Sequence, residues 1–371
     1  MKMRVDADLA RQALTLTGLG AVLGYAVLEQ GGMPAEPWHY CLLGFGLVST
    51  AYWVFARRSD PLKAWWMAIL LPGYALLQFF TVSLKPPATF EHLLRILAFT
   101  LVFLTIRDMK SRAAAIPIIV VAALEAVIGL CGMTPEGGAH GTYVNRNHFA
   151  GLLEMALPFA AVGALRSRWL WVPAGLIFAG IVCSYSRGGF LSTLCALSLA
   201  GIMLAGSRVT GRRKWLAAVP ILAGAFLLFL YLPPDQFFRR FAEDSLEQVS
   251  TLGGRLQFLK PAPQLVEKYA VLGCGLGGFE SAFYRIKDIM PGGTVEYAHD
   301  DYLQALIELG VTGFLIVAVL IGSALREAVR AEHIACIASL AAILLHSFFD
   351  FNLYIPANAM VLAWVTGLSG L

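Results

Sequence analysis

Four arginines stand out: three lie beside or within long apolar segments, where a charged side chain is costly to insert into a membrane, and the fourth lies in a long connection. They are Arg95, Arg146, Arg187 and Arg255. One guanidinium group can bind two phosphate oxygens at once, and the N-terminus of a helix adds partial positive charge. Together the four side chains are typical of a phosphate site, and a lipid diphosphate is the ligand that suits this depth.

Two of these arginines have polar neighbours that allow a simpler interpretation. Glu91 precedes Arg95 by four residues, so the pair can neutralise each other on one helix face. Arg146 lies between Asn145 and Asn147, and Asn147 is a suitable N-cap for the next helix. We nevertheless predict that both arginines and both asparagines contribute to the diphosphate site.

Arg187 and Arg255 also have ordinary alternatives. Arg187 occupies a very short turn between apolar segments, where it can extend to the membrane surface as a snorkelling side chain. Arg255 follows Gly253-Gly254 in a long connection and is compatible with a plain surface position. The diphosphate hypothesis rests on the four arginines together.

His299 is the candidate general base of the chain. A neutral imidazole accepts a proton near pH 7, and such assistance accelerates a reaction by about 10²–10⁴-fold. His299 is followed by Asp300, Asp301 and Tyr302, which we assign to its support. Asp300 or Asp301 orients the ring or is itself the base. A structural histidine at a helix cap is the alternative.

Composition identifies the elements that must position these residues. Of the 371 residues, 58% are hydrophobic and 14% are charged, against about 25% charged in soluble domains. A water-soluble protein is therefore excluded, and an all-α polytopic membrane protein is predicted. Twelve apolar runs are long enough to be transmembrane helices. They span 12–28, 38–56, 64–84, 90–106, 113–131, 147–165, 169–184, 187–205, 215–232, 302–321, 333–350 and 352–370.

Lysine and arginine predict the orientation of these spans, since cytoplasmic connections carry the positive excess. Most basic residues fall on one side if both termini are cytoplasmic. The net charge of +4 reflects this topology, and no nucleic-acid partner is expected. The connection 233–300, between helices 9 and 10, is then a large outer loop inserted into a single transmembrane domain, 1–371. Apolar residues at helical spacing predict that the loop is partly helical.

Two further observations on the sequence argue against cofactor chemistry. The segment Gly273-Cys-Gly-Leu-Gly-Gly278 fits G-x-G-x-x-G, but no βαβ unit surrounds it, so a glycine-rich turn is the better interpretation. No H-E-x-x-H motif or C-x-x-C pair is present, so neither a metal nor a cofactor is predicted. For His346 and Asp350, four residues apart, packing or mutual hydrogen bonding is the expected role.

Six segments in order resemble the bacterial O-antigen ligase and polysaccharide polymerase superfamily. They are GTYVNRNHFAG, SYSRGGFLS, GGRLQF, VLGCGLGGFESAF, AHDDYLQALIELGVTGF and HSFFDFNLYIPANA. The resemblance runs from about Gly141 to the C-terminus, and the first five spans share only the hydropathy. It implies a GT-C type glycosyltransferase in the bacterial inner membrane, with about twelve helices and a periplasmic active site.

The same resemblance implies the reaction and its residues. A glycan would pass from undecaprenyl diphosphate to a sugar hydroxyl of another glycan or of lipid A-core, with inversion and without a metal. Arg255 matches the loop arginine of the family, His299 its base-like histidine, and Arg187 a further diphosphate-binding arginine. Asp300 is a departure, since the family often has Asn after that histidine.

Several functions remain open at this stage. A ligase and a polymerase differ only in the acceptor, and the asparagines around Arg146 weakly favour an exopolysaccharide polymerase. A flippase for lipid-linked oligosaccharide would also use arginines around a diphosphate, but would line a central cavity with charges at mid-depth. A shape-determining peptidoglycan polymerase is a mechanistic relative that should show a different loop.

Overall fold

The computed structural model describes residues 2–55, 65–134, 137–206, 262–286 and 295–371. Within these ranges the chain is almost entirely helical, and its one isolated β-bridge joins Thr134 to Gly138. The helices are α1 (Lys2–Leu28), α2 (Ala35–Phe55), α3 (Leu70–Thr81), α4 (Pro86–Met109), α5 (Ile116–Cys131), α6 (Arg146–Ala164), α7 (Trp171–Cys183), α8 (Arg187–Gly206), α9 (Ala262–Lys268), α10 (Phe279–Phe283), α11 (Asp301–Arg330), α12 (Ile334–His346) and α13 (Pro356–Gly367).

Four helical segments in the described part of the chain are long and apolar enough to cross a membrane. They are Pro86–Met109, Arg112–Cys131, Arg187–Leu204 and Asp301–Arg330, and shorter apolar helices accompany them. The prediction of a helical integral membrane protein is confirmed. The number of twelve spans stays a prediction, since the ninth, 215–232, lies outside the described residues.

Helix α6 lies at the centre of the bundle. It packs against α5, α7, α8, α12 and α13, and nearly every side chain beyond its first turn is buried. A helix that is surrounded on all sides must be apolar all round, which explains the run of Ala, Leu, Phe and Gly along α6. Polar residues on this helix therefore need partners within the protein.

The connections between helices gather at two ends of the bundle. One, here the Asn145 end, carries residues 29–34, 82–85, 132–145, 184–186 and 347–355. At the other, the Arg107 end, both guanidinium Nη atoms donate to Glu327, at 2.7 and 2.8 Å. The Trp364 indole N–H donates to Ala114 O at 2.8 Å at this same end. The helices from α1 to α8 thus alternate in direction, and so do those from α11 to α13, as membrane spans must.

Helix α11 is interrupted at Gly310, whose φ of 63° and ψ of −179° are not helical. The helix that contains the predicted span 302–321 begins at Asp301 and continues beyond the span to Arg330. The break frees the carbonyls of Ile307 and Glu308, which accept the N–H groups of Cys274 and Gly275 at 3.0 and 3.1 Å. The glycine-rich segment is thereby attached to α11 as a turn.

The described part of the predicted outer loop packs onto the bundle. Leu265 of α9 and Phe279 and Phe283 of α10 are buried together with Ala298 and Ile307. Burial of these apolar side chains holds the described part of the loop against α11. The predicted amphipathic stretch at 237–249 lies outside the described residues.

Candidate active site

The first turn of α6 presents Asn147 to the interior of the Asn145 end. Asn145, not Asn147 as predicted, is the N-cap: its side chain accepts the Asn147 N–H at 2.8 Å. The cap leaves the side chain of Asn147 available, and its amide nitrogen donates to Asp350 Oδ2 at 2.5 Å. Arg146 is the first residue of the same helix.

Asp350 is the centre of the polar cluster. It lies in the turn between α12 and α13 and is 1% exposed. Its Oδ1 accepts the Phe351 N–H at 2.8 Å and lies 3.7 Å from both His148 Nε2 and His299 Nδ1. Burial raises the pKa of Asp350, but the two imidazoles and the Phe351 N–H outweigh burial and lower it below its usual value. The carboxylate is therefore ionised at neutral pH.

Aromatic contacts fix both imidazoles around Phe351. Its ring stacks on Tyr297 with centroids 4.2 Å apart and a 5° angle between the planes. His148 and His299 meet the same ring edge to face, at 4.6 and 5.0 Å. Such edge-to-face contacts orient a ring as well as bury it.

His299 is the exposed member of the cluster. Its side chain is 36% exposed, whereas those of His148 and Asp350 are 8% and 1% exposed. Its backbone has a φ of 54°, in the left-handed region that is uncommon for residues other than glycine. Because Nδ1 faces Asp350, Nε2 is the nitrogen left for a substrate.

The acidic residues after His299 have structural partners. Asp300 caps α11 and accepts the N–H groups of Tyr302 and Leu303 at 2.9 and 3.0 Å. Asp301 accepts the Ser347 hydroxyl at 2.8 Å and thereby joins α11 to the turn that holds Asp350. The carboxylate beside the imidazole is therefore Asp350, not either of the two predicted.

Tyr302 supports the same junction from outside the cluster. Its hydroxyl donates to Leu344 O at 2.6 Å, and its ring packs on Phe348 at 4.3 Å. The side chain thus ties α11 to the end of α12.

The first turn of α8 places Arg187 beside the segment that leads to Asp350. Gly188 and Gly189 follow, and a Cβ atom at Gly188 would lie 2.8 Å from the His346 ring and 3.3 Å from Phe349. His346 and Phe349 lie on the segment that leads to Asp350. Arg187 and Asp350 are therefore held on adjoining segments at the same end of the bundle.

Arg95 lies about two and a half turns after the start of α4 and forms an ion pair with Glu91, the arrangement that their spacing allows. Its guanidinium also lies 6.0 Å from the Trp38 ring. Arg95 lines a cavity of about 260 Å³ between α4, α11 and α13. Tyr354 lines the cavity and contacts Tyr297 with ring centroids 6.0 Å apart. Because Tyr297 stacks on Phe351, the cavity adjoins the aromatic rings around His299.

The cavity is apolar over most of its length. Its ionisable side chains, His92, Arg95 and Asp301, lie toward the Asn145 end, together with the Tyr354 hydroxyl. Trp65 and Phe103 line the opposite end, where Trp65 packs against Arg107. The arrangement suits a hydrocarbon chain attached to a charged head.

Arg255 lies outside the described residues, so its distance from the cluster stays a prediction. Among the residues that the structure does describe, no group of three or more His, Cys, Asp or Glu side chains is arranged to hold a metal ion.

Sequence reasoning missed Asp350 and His148 as site residues. His148 directly follows Asn147, and Asp350 is the last polar residue of HSFFD, but neither spacing indicates their proximity. His346 likewise pairs with Glu154 instead of the Asp350 side chain, with its Nδ1 3.1 Å from both Glu154 oxygens. The contacts with Asp350 join residues that lie about 50 to 200 positions apart, which a local pattern does not reveal.

A family model described as O-antigen ligase matches residues 172–318 of the chain. The matched range begins in α7, extends into α11 and includes Arg187, Arg255 and His299. The resemblance derived from the sequence motifs is thereby confirmed over these residues. No curated protein matches the chain.

Proposed function

Since residues 172–318 match the O-antigen ligase family, we propose that the protein is a membrane glycosyltransferase acting at the Asn145 end of the bundle. Its donor is a glycan on undecaprenyl diphosphate, and its acceptor is a sugar hydroxyl. The observation that carries the proposal is the arrangement of a partly exposed imidazole, His299, against a buried carboxylate, Asp350.

His299 is the general base of the proposed reaction. Its Nδ1 is directed to Asp350, so its Nε2 accepts the proton as the acceptor O–H bond breaks. The positive charge that forms on the ring is stabilised by the nearby Asp350 carboxylate. His148 and Asn147 hold that carboxylate in place from the side of α6.

Arginines stabilise the charge that leaves. The acceptor oxygen forms a bond to the anomeric carbon as the bond from that carbon to the diphosphate oxygen breaks, and its electron pair passes to the diphosphate. Arg187 and Arg146 begin helices at this end, so guanidinium groups and helix N-termini act together on the departing charge. Arg255 and Asn145 complete the proposed diphosphate site. A single displacement inverts the anomeric carbon and needs no metal.

The isoprenoid part of the donor occupies the cavity beside Tyr354. The apolar walls bury the hydrocarbon, and Arg95 lies at the end nearest the reaction. Ionisable side chains at one end, with none in the middle of the cavity wall, support glycan transfer over transport of the lipid across the membrane. The basic Arg107 end is cytoplasmic in this proposal, both termini are cytoplasmic, and the active site is periplasmic.

Reconstituted transfer is the direct test. Purified protein is incubated with an undecaprenyl-diphosphate glycan and with either a second lipid-linked glycan or lipid A-core as acceptor. A ladder of product lengths identifies a polymerase, and one shifted acceptor band identifies a ligase. The absence of transfer to every acceptor, with movement of the donor across vesicles, would refute the proposal in favour of a flippase.

Substitution of the two central residues tests the mechanism. His299→Ala and Arg255→Ala should each lower transfer by about 10²-fold or more, because proton transfer and charge stabilisation each contribute at least this much. His39→Ala, on the exposed face of α2, is the matched control and should keep its activity. Full activity of either site variant removes that residue from the mechanism.

A further inference from the structure

A second polar cluster lies beneath the candidate active site, inside the bundle. It consists of Glu154 on α6, Ser192 on α8 and His346 at the end of α12, and each residue is at most 1% exposed. The Ser192 hydroxyl lies 2.6 Å from Glu154 Oε2, and His346 Nδ1 lies 3.1 Å from both carboxylate oxygens. One carboxylate therefore joins three helices.

Like the contact between Asn147 and Asp350 in the candidate active site, this cluster connects α6 to the end of α12 and the turn after it. Glu154 follows Asn147 by seven residues, which is about two helical turns, so both lie on the same face of α6. His346 precedes Asp350 by four residues. The pairs Asn147–Asp350 and Glu154–His346 are thus two successive cross-links between α6 and the end of α12.

The first turn of α8 is packed directly on the lower cross-link. A Cβ atom at Gly188 would lie 2.9 Å from His346 Nε2, and one at Gly189 would lie 2.6 Å from the Ala150 Cβ. The missing side chains therefore let the helix that begins at Arg187 approach both α6 and His346. Its position depends on where the His346 ring is held.

Apolar packing alone would allow α8 and α12 to slide by a fraction of a turn. Hydrogen bonds in a medium of low dielectric constant are directional and strong, so a buried network specifies one arrangement. An unpaired Glu154 carboxyl would be a costly buried polar group, which opposes any shift that separates it from His346. The cluster therefore has the features expected of residues that hold α6, α8 and α12 in one relative position.

We propose that Glu154, Ser192 and His346 form a positioning cluster that fixes Arg187 and Asp350 relative to each other. The inference rests on the proposed function, in which Arg187 binds the donor diphosphate and Asp350 supports the base. None of the three side chains touches the substrate. Their effect passes through the first turn of α8 and through the turn that follows α12.

The test compares kcat and KM for the donor among folded variants. Glu154→Ala should lower kcat and raise the donor KM, each about tenfold, since a misplacement on the order of 1 Å at a site can cost about 10² in rate. Glu154→Gln retains an oxygen that accepts the His346 N–H, so it should recover most of the activity. A role confined to stability would instead lower the yield of folded protein and leave both constants of the folded fraction unchanged.

Two glycine substitutions on α8, one a test and one its control, leave the Glu154 side chain in place. Gly188→Ala places a methyl group against His346 and should affect kcat and the donor KM in the same direction as Glu154→Ala. Gly201→Ala lies on the same helix with open space around it and should behave as the wild type.

The outcomes separate the two proposals. If the wild-type protein transfers glycan and both Glu154→Ala and Gly188→Ala keep its kcat and KM, or if Glu154→Gln is as impaired as Glu154→Ala, the positioning role is wrong. If the wild-type protein transfers no glycan, the proposed function fails, and the positioning role fails with it.

Discussion

The carboxylate of Asp350 determines what the two imidazoles beside it can do. It lies 3.7 Å from a nitrogen of each ring and is buried, so its charge acts at close range and with little screening by water. In the proposed reaction, an ionised group in this position stabilises the positive charge that forms on the His299 ring when the ring takes the proton. The charge is therefore needed more in the transition state than before it.

Replacement of the Asp350 carboxylate by a neutral amide tests its role in the reaction. Asp350→Asn keeps the size of the side chain and should lower kcat by about 10²-fold with little change in the acceptor KM, as expected for a group that orients and stabilises a base. Asp108→Asn is the control, since Asp108 accepts the Tyr52 hydroxyl in the other half of the bundle. An unchanged kcat for Asp350→Asn would exclude the carboxylate from the reaction.

Residue types identified part of this site from the sequence alone. Asn147 and His299 were predicted site residues, and the structure brings both to Asp350. For Asp350 the sequence predicts only packing or a hydrogen bond with His346, because its actual partners come from segments separated by many helices. Only the folded arrangement reveals that these segments meet.

Among the elements, α11 is unusual because a loop inserts into its backbone. A Cβ atom at Gly310 would lie 2.5 Å from both Gly273 N and Val271 O. Glu308, two residues before Gly310, holds the same loop by accepting the N–H groups of Gly277 and Phe279 at 2.9 and 3.1 Å. Hydropathy located the helix, but it carries no information on a break whose cause is another segment.

The break predicts a difference between two glycines of one helix. Gly310→Ala should lower the free energy of unfolding by about 1–3 kcal/mol or more, since its dihedral angles are nearly restricted to glycine. Gly322→Ala has open space around it and should change this free energy by less than about 1 kcal/mol. SDS titration of both variants in detergent measures the difference, and equal stabilities would contradict the role of the break.

At the scale of the whole molecule, the described residues place the candidate site at one end of the bundle and most of the basic side chains at the other. His299, Asp350 and Asn147 lie at the Asn145 end, whereas the opposite end carries a series of basic side chains. These are Arg107, Lys110, Arg112, Arg166, Arg168, Arg326 and Arg330. The distribution of basic residues along the sequence was enough to predict this division, because the bias acts on each short connection independently.

Chemical labelling of intact cells tests the orientation. Val144 and Trp169 are 79% and 74% exposed and lie on connections at opposite ends. In a chain with Cys131→Ser, Val144→Cys should react with a membrane-impermeant maleimide, and Trp169→Cys should react only after the cells are made permeable. The reverse pattern would place the proposed active site in the cytosol.

The cavity beside Tyr354 also limits what the protein can recognise in its donor. It extends along α4 from His92 to Phe103, which at 1.5 Å per residue is about 16 Å, or roughly half of a hydrocarbon core of about 30 Å. In the proposed reaction, a long polyprenol therefore occupies this cavity only with its first few isoprene units, while the units beyond the cavity mix with the acyl chains of the surrounding bilayer. Selection among donors should then depend on the sugar and the nearest double bonds, and prenols of different total length should be equivalent substrates.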